Sequence, residues 1–169
     1  MQDPKLLHTL HFPDERGYNE ILFDTALKSH LLGSFQIVQI NQAFSTLPYT
    51  LRGLHYQVPP HDQAKLCYCL VGSVFNVAVS LESGNVTTAV LKPGTVMFIP
   101  RGYAHGYLTL EEHTLFQWCV DNDFDPDSSK IIRYDSCDID WPVMDWNQVI
   151  ISDKDRSGEK YRDKQASAF

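Results

Sequence analysis

The chain has 169 residues, 43% of them hydrophobic and 21% charged, with a formal net charge of −7. That length suits a single domain over 1–169 that needs no disulfide or metal to fold, and the composition excludes intrinsic disorder. An acidic chain gains little from phosphate counterion release, so nucleic acid is set aside as a partner, and an anionic ligand would need a local basic site.

In chain order, Met1 to Phe12 lacks the apolar core of a signal peptide, and no run is long enough to span a bilayer. The expectation is a cytoplasmic protein with no membrane partner. Asp14-Glu15-Arg16-Gly17 is a charged turn, and Tyr18 to Leu32 reads as a short helix or as a strand followed by a helix. Phe35 to Asn41 has strand composition. Ala64 to Val71 alternates, with Lys65, Cys67, Cys69 and Val71 on one face and Leu66, Tyr68 and Leu70 on the other. Val74 to Leu81 alternates again after Gly72-Ser73, so the two segments are predicted to form a hairpin. Turns at Glu82 to Asn85 and at Lys92-Pro93-Gly94 bound strands at Val86 to Leu91 and Thr95 to Ile99, and His113 to Val120 is a further strand. Such regular turn spacing predicts an all-β sandwich or barrel. From about residue 144 the sequence turns polar, with a charged run from Asp153 to Lys164, which predicts a solvated helix or tail. Cys67, Cys69, Cys119 and Cys137 match neither a redox nor a zinc spacing and are expected to be structural thiols.

Gly94, Pro100, Gly102 and His105 stand at the spacing G-x5-P-x-G-x2-H. This resembles the second motif of the cupin superfamily and implies a jelly-roll β-barrel with short peripheral helices, with His105 facing its interior. A metal-binding cupin also needs an H-x-H and a glutamate. Here Leu54-His55-Tyr56-Gln57 and His61 supply neither, so no metal or other cofactor is expected.

A wider set of motifs narrows the likeness. Leu51-Arg52-Gly53-Leu54-His55-Tyr56-Gln57 is followed by Gln63-x-Lys65-Leu66, by Val71-Gly72-x-Val74-Phe75-x-Val77-Ala78-Val79, and by Ile99-Pro100-x-Gly102-x-Ala104-His105-Gly106. With Asp14-Glu15-Arg16-Gly17 before them and Asp140-Trp141-Pro142 and Ser152-x-Lys154-Asp155 after, they resemble the dTDP-4-dehydrorhamnose 3,5-epimerase family. The resemblance implies a homodimer acting on a nucleotide-diphosphate sugar that carries a 4-keto group. Epimerising beside a ketone needs a base, a stabiliser for the enolate and an acid on the other face. By resemblance, His55 is the base, Asp155 orients it, Lys65 holds the enolate oxygen and His105 hydrogen-bonds in the same cavity. Arg16 and Arg52 match diphosphate positions, and Gln39 and Asn41 match polar substrate contacts.

The sequence also departs from the family pattern. The position of the family's tyrosine acid, eight residues before Pro126, is Trp118, whose indole N–H does not ionise at useful pH. The aromatic that stacks on the base becomes Asp123, with Phe124 beside it, and Asn76 stands for an aspartate. These changes are compatible with reduced or single-carbon epimerisation, with another outcome of the same enolate such as keto migration, or with loss of catalysis, and they predict a nucleotide preference moved away from thymidine. Two rivals stand beside the epimerase reading: a non-catalytic sugar-nucleotide or carbohydrate-binding jelly roll, and a metal-dependent cupin.

Overall fold

The computed structural model describes residues 2–30 and 34–161. The strands are β1 (Lys5–His8), β2 (Leu10–Asp14), β3 (Gly17–Ile21), β4 (Gln39–Ser45), β5 (Leu51–Gln57), β6 (Lys65–Val71), β7 (Val74–Ser80), β8 (Val86–Leu91), β9 (Thr95–Ile99), β10 (Tyr103–Thr109), β11 (Thr114–Val120) and β12 (Ser129–Ile131). The helices are α1 (Thr25–His30) and α2 (Asp153–Arg156). One five-stranded sheet has the order β1-β9-β6-β11-β4 and the other β12-β5-β10-β7-β8, and β2 and β3 form a separate hairpin. From β4 onward the chain passes repeatedly from one sheet to the other, giving the cupin-type jelly roll.

That alternation overturns the predicted hairpin across Gly72-Ser73. β6 pairs with β9 and β11, whereas β7 pairs with β10 and β8. Gly72 turns the chain between sheets at a φ of +78°, and a Cβ there would lie 2.5 Å from the Thr114 hydroxyl. Ser73 instead accepts a backbone bond from Leu110, 2.9 Å long. The strand expected over Phe35 to Asn41 begins later, at Gln39, because Phe35 leaves the ladder to pack edge-on to Phe98. The segment after Tyr18 is a strand followed by a helix, and its residues Leu31 and Leu32 lie outside the described residues.

Three apolar layers follow from strand alternation. Cys67, Cys69, Ala78, Met97, Tyr107 and Phe116 fill the space between the sheets. Burying a ring such as Phe116, 1% exposed, contributes about 1.5–3 kcal/mol. Leu66, Tyr68 and Phe98 face outward on the first sheet, under Leu27 and Phe35. Leu54, Tyr56, Val77 and Leu108 face outward on the second sheet, under Trp141, Val149 and Tyr161.

The last of these layers corrects the expected solvated tail. The segment after 144 returns along the second sheet through bridges Thr50↔Ile150 and Ile132↔Glu159, and Tyr161 is buried. Its charged side chains mostly face water, but its apolar residues close a layer that the sheet leaves open. The end of the charged run, 162–164, lies outside the described residues. Among the described residues no helix is long and apolar enough to cross a membrane.

Candidate active site

A cavity of about 380 Å³ opens at one end of the space between the sheets, with walls that include Arg52, His55, Lys65, His105, Tyr107 and Trp118. Local backbone geometry brings Arg52 and His55 to the same wall. Three residues apart on a regular strand, they would face opposite sides. Across the β5–β10 pair, however, His55 lies opposite His105 while Arg52 lies opposite Tyr107, so β5 carries one extra residue. Gly53 absorbs that bulge at a φ of +124°, where a Cβ would come within 2.5 Å of the Gly106 Cα. Gly106 is equally constrained, since its own Cβ would lie 2.8 Å from the Arg52 carbonyl oxygen.

His55 is held from outside the barrel. Its Nε2 lies 2.7 Å from Asp155 Oδ1, and the Gly53 amide donates to Asp155 Oδ2 at 3.2 Å. Asp155 sits in α2, whose N-cap Ser152 accepts from the Asp155 amide. Burial would push the Asp155 carboxyl up. The hydrogen bonds from His55 and Gly53 outweigh burial and keep it below the ordinary carboxylate range. Asp155 is therefore anionic and fixes one ring nitrogen as a donor, leaving Nδ1 to accept a proton. The His55 side chain remains 44% exposed, toward the cavity mouth, while that of Asp155 is 7% exposed.

Lys65 begins β6 on the inward face, and its ammonium donates to the His55 carbonyl at 3.3 Å. Burial pushes its pKa down from 10.5 to about 8. It is mostly charged at neutral pH, with its charge unmatched by any nearby carboxylate in the described hydrogen bonds. Burial also holds His105 well below the ordinary histidine range, helped by the positive charge of Lys65 and of His55. The Asn76 amide donates to the Met97 sulfur at 3.1 Å, so its oxygen accepts from His105 Nε2 at 2.9 Å. An amide partner does not draw His105 toward its cation, and His105 stands neutral. Cys67, 3.6 Å from the same nitrogen, is pushed by burial to about 12 and stays a thiol.

The other residues singled out in the sequence divide by position. Trp118 lines the cavity from β11, beside Asn41 in register. Gln39 and Asn41 share the inward face of β4 and bond to each other at 2.5 Å. Asp123 is exposed and does not line the cavity; its carbonyl accepts from Gln57 at 3.1 Å and its amide donates to Asn122 Oδ1 at 3.0 Å. Phe124 lines the cavity instead. Arg16 lies at the tip of the β2–β3 hairpin, paired with Asp14 at 2.5 Å and away from this cavity. Tyr107 stands two residues after His105 on β10, on the same inward face, and the β10–β7 register runs through it without a break. Among the described residues no group of three His, Cys, Asp or Glu side chains is arranged to hold a metal.

A base–carboxylate pair, a buried cation and a neutral imidazole around one cavity constitute apparatus for removing a proton beside a carbonyl. The family profile of dTDP-4-dehydrorhamnose 3,5-epimerase matches residues 1–163. The chain belongs to that family. It is 33% identical over 162 residues to the dTDP-4-dehydrorhamnose 3,5-epimerase of Shigella flexneri, covering 90% of this chain and 87% of that protein. Among solved structures, the Bacillus anthracis 3,5-epimerase with TDP and PPi bound superposes with a TM-score of 0.85 at 30% identity, covering 92% and 93% of the two chains. The Legionella pneumophila 3,5-epimerase in complex with dTDP-4-keto-L-rhamnose gives 0.85 at 31% identity over 94% and 88%.

Proposed function

We propose that this chain epimerises a dTDP-linked 4-keto sugar by removing and returning a proton at carbon next to the ketone. The observation that carries this reading is the 2.7 Å His55–Asp155 pair opening on the cavity that buries Lys65. His55 Nδ1 takes the proton as the C–H bond breaks. Asp155 stabilises the imidazolium, as a triad carboxylate does. The Lys65 ammonium sits where it can neutralise the enolate oxygen, and in a dry site a preplaced cation is worth far more than in water. His105, neutral, adds a polar contact. Arg52 at the rim supplies a fork for the diphosphate, Gln39 and Asn41 offer polar contacts, and Phe124 offers a ring to the thymine.

The protein works as a homodimer in this proposal. The β2–β3 hairpin exposes Leu10, Phe12, Tyr18 and Ile21, and β4 exposes Ile40 and Phe44. Covering these residues with a second copy would also give Arg16 a cavity to serve. The reading needs no metal or cofactor, and its place is the cytoplasm, where sugar nucleotides are made.

The test is incubation with a dTDP-4-keto-6-deoxyhexose in D2O, followed by NMR. Deuterium entering beside the ketone, with inverted product, supports the reading. Tight binding without any exchange would transfer support to the non-catalytic sugar-nucleotide-binding jelly roll, which Trp118 in the cavity favours.

A further inference from the structure

We propose that Gln57 is a positioning residue for nucleotide binding: it sets the Phe124 ring at the cavity by bonding to the backbone on both sides of that ring. The role rests on the epimerase reading above, in which Phe124 meets the thymine. Both side chains line the cavity, Gln57 from β5 and Phe124 from the loop between β11 and β12. Among the described residues, Phe124 is 56% exposed and joins none of the three apolar layers. Core packing therefore does not fix the ring, and its direction has to come from the backbone.

That backbone is held at three successive residues. The Gln57 side-chain amide donates to the Asp123 carbonyl at 3.1 Å, and its oxygen accepts from the Asp125 amide at 2.8 Å. Between these two, the Phe124 amide donates to Gln39 Oε1 at 3.3 Å. Gln57 also donates to the His61 carbonyl at 2.5 Å, which ties the loop to segment 58–63. A second tie joins the same two loops: Gln63 Nε2 donates to the Asn122 carbonyl at 2.8 Å, and Asn122 Nδ2 to the Pro60 carbonyl at 3.0 Å. Asp125 Oδ2 accepts from the Ser128 amide at 2.8 Å and closes the turn.

Position 57 calls for a carboxamide. One planar group must donate to two carbonyls and accept from an amide. A carboxylate cannot donate, and lysine or arginine cannot accept. Gln57 is 6% exposed, and both of its N–H groups are used within the protein. It has no donor left for a substrate, so its effect on the nucleotide runs through Phe124. Ordering a ring before the ligand arrives removes part of the entropy cost of binding.

The experiment is a double-mutant cycle on dTDP affinity, measured by titration calorimetry on the full chain. Phe124→Ala should weaken dTDP binding by about 10-fold, a loss in the range seen when a base loses its aromatic platform. Gln57→Leu should weaken it by about 3–10-fold, because the ring must then be ordered on binding. In the Phe124→Ala background the same Gln57→Leu change should cost less than about 2-fold, since residues that act as one unit do not add. A merely structural role would lower affinity equally in both backgrounds. That result overturns the role, and so does undiminished affinity in either single variant. Should Gln57→Leu not fold, Gln57→Glu enters the same cycle; it keeps the acceptor for the Asp125 amide and loses both donors. Absence of dTDP binding by the wild type is a separate result, and it defeats the nucleotide reading itself.

Discussion

Replacing Lys65 with methionine should make the protein more stable and less active. Methionine has a similar unbranched shape and leaves no large cavity. The buried ammonium titrates near 8 instead of 10.5, which corresponds to a burial cost on the order of 3 kcal/mol at pH 7. Against this, the variant leaves the His55 carbonyl without the Lys65 bond, at a cost of about 1 kcal/mol. The net expectation is a gain of about 2 kcal/mol at pH 7 in urea denaturation. The sign with pH follows from proton binding. Between about 8 and 10.5 the unfolded chain holds more protons at this lysine than the folded one, so the wild type regains stability as pH rises. The advantage of Lys65→Met should therefore shrink across that window. Its kcat/KM should drop by about 10²–10³-fold, the loss typical of removing one preplaced charge stabiliser. A variant less stable than wild type at pH 7, or a gap that does not narrow between pH 8 and 10, would refute the argument that burial strains this charge.

Other outcomes follow from the same site. kcat/KM should fall on the alkaline side with a midpoint near 8 as Lys65 loses its proton, and a profile flat to pH 9.5 would contradict the role given to its charge. Asp155→Asn should keep the fold but lower kcat by about 10²–10⁴-fold, because an amide can hold the wrong imidazole tautomer; single-turnover kinetics will show it. Gly106→Ala forces a Cβ to within 2.8 Å of the Arg52 carbonyl oxygen, so thermal denaturation should show a loss of about 2 kcal/mol or more.

Much of the barrel was legible because the turns and the alternating strands are written locally. Lys65, Cys67 and Cys69 do share the inward face of β6, as alternation requires. What alternation cannot state is the partner of each strand. Gly72-Ser73 looks like a hairpin turn, but the neighbours of β6 and β7 come from residues far along the chain, so the connection became a crossing between sheets. Asp155 lay in a run that reads as solvated, and only the resemblance pointed to it; its burial depends on docking over β5, which no local pattern encodes. Asp123 and Phe124 show the limit of counting along a loop, since one residue decides which side chain meets the cavity. That Arg52 and His55 share a wall was hidden by the Gly53 bulge, which breaks the period on which strand parity along β5 depends.

The dyad spans 100 residues of sequence, and its two halves belong to separately supported layers. His55 stands on a strand of the barrel. Asp155 stands on a four-residue helix anchored through Trp141, Val149 and Tyr161 to the outside of the sheet. The apolar layer between the sheets is made by residues other than those of that outer strap. Opening the strap alone would separate the imidazole from its carboxylate while both sheets stayed paired, and such local openings require less free energy than global unfolding. Inactivation on mild heating is therefore expected to be reversible and to precede melting, and binding of a substrate that engages His55 should protect amides of the C-terminal strap against hydrogen exchange.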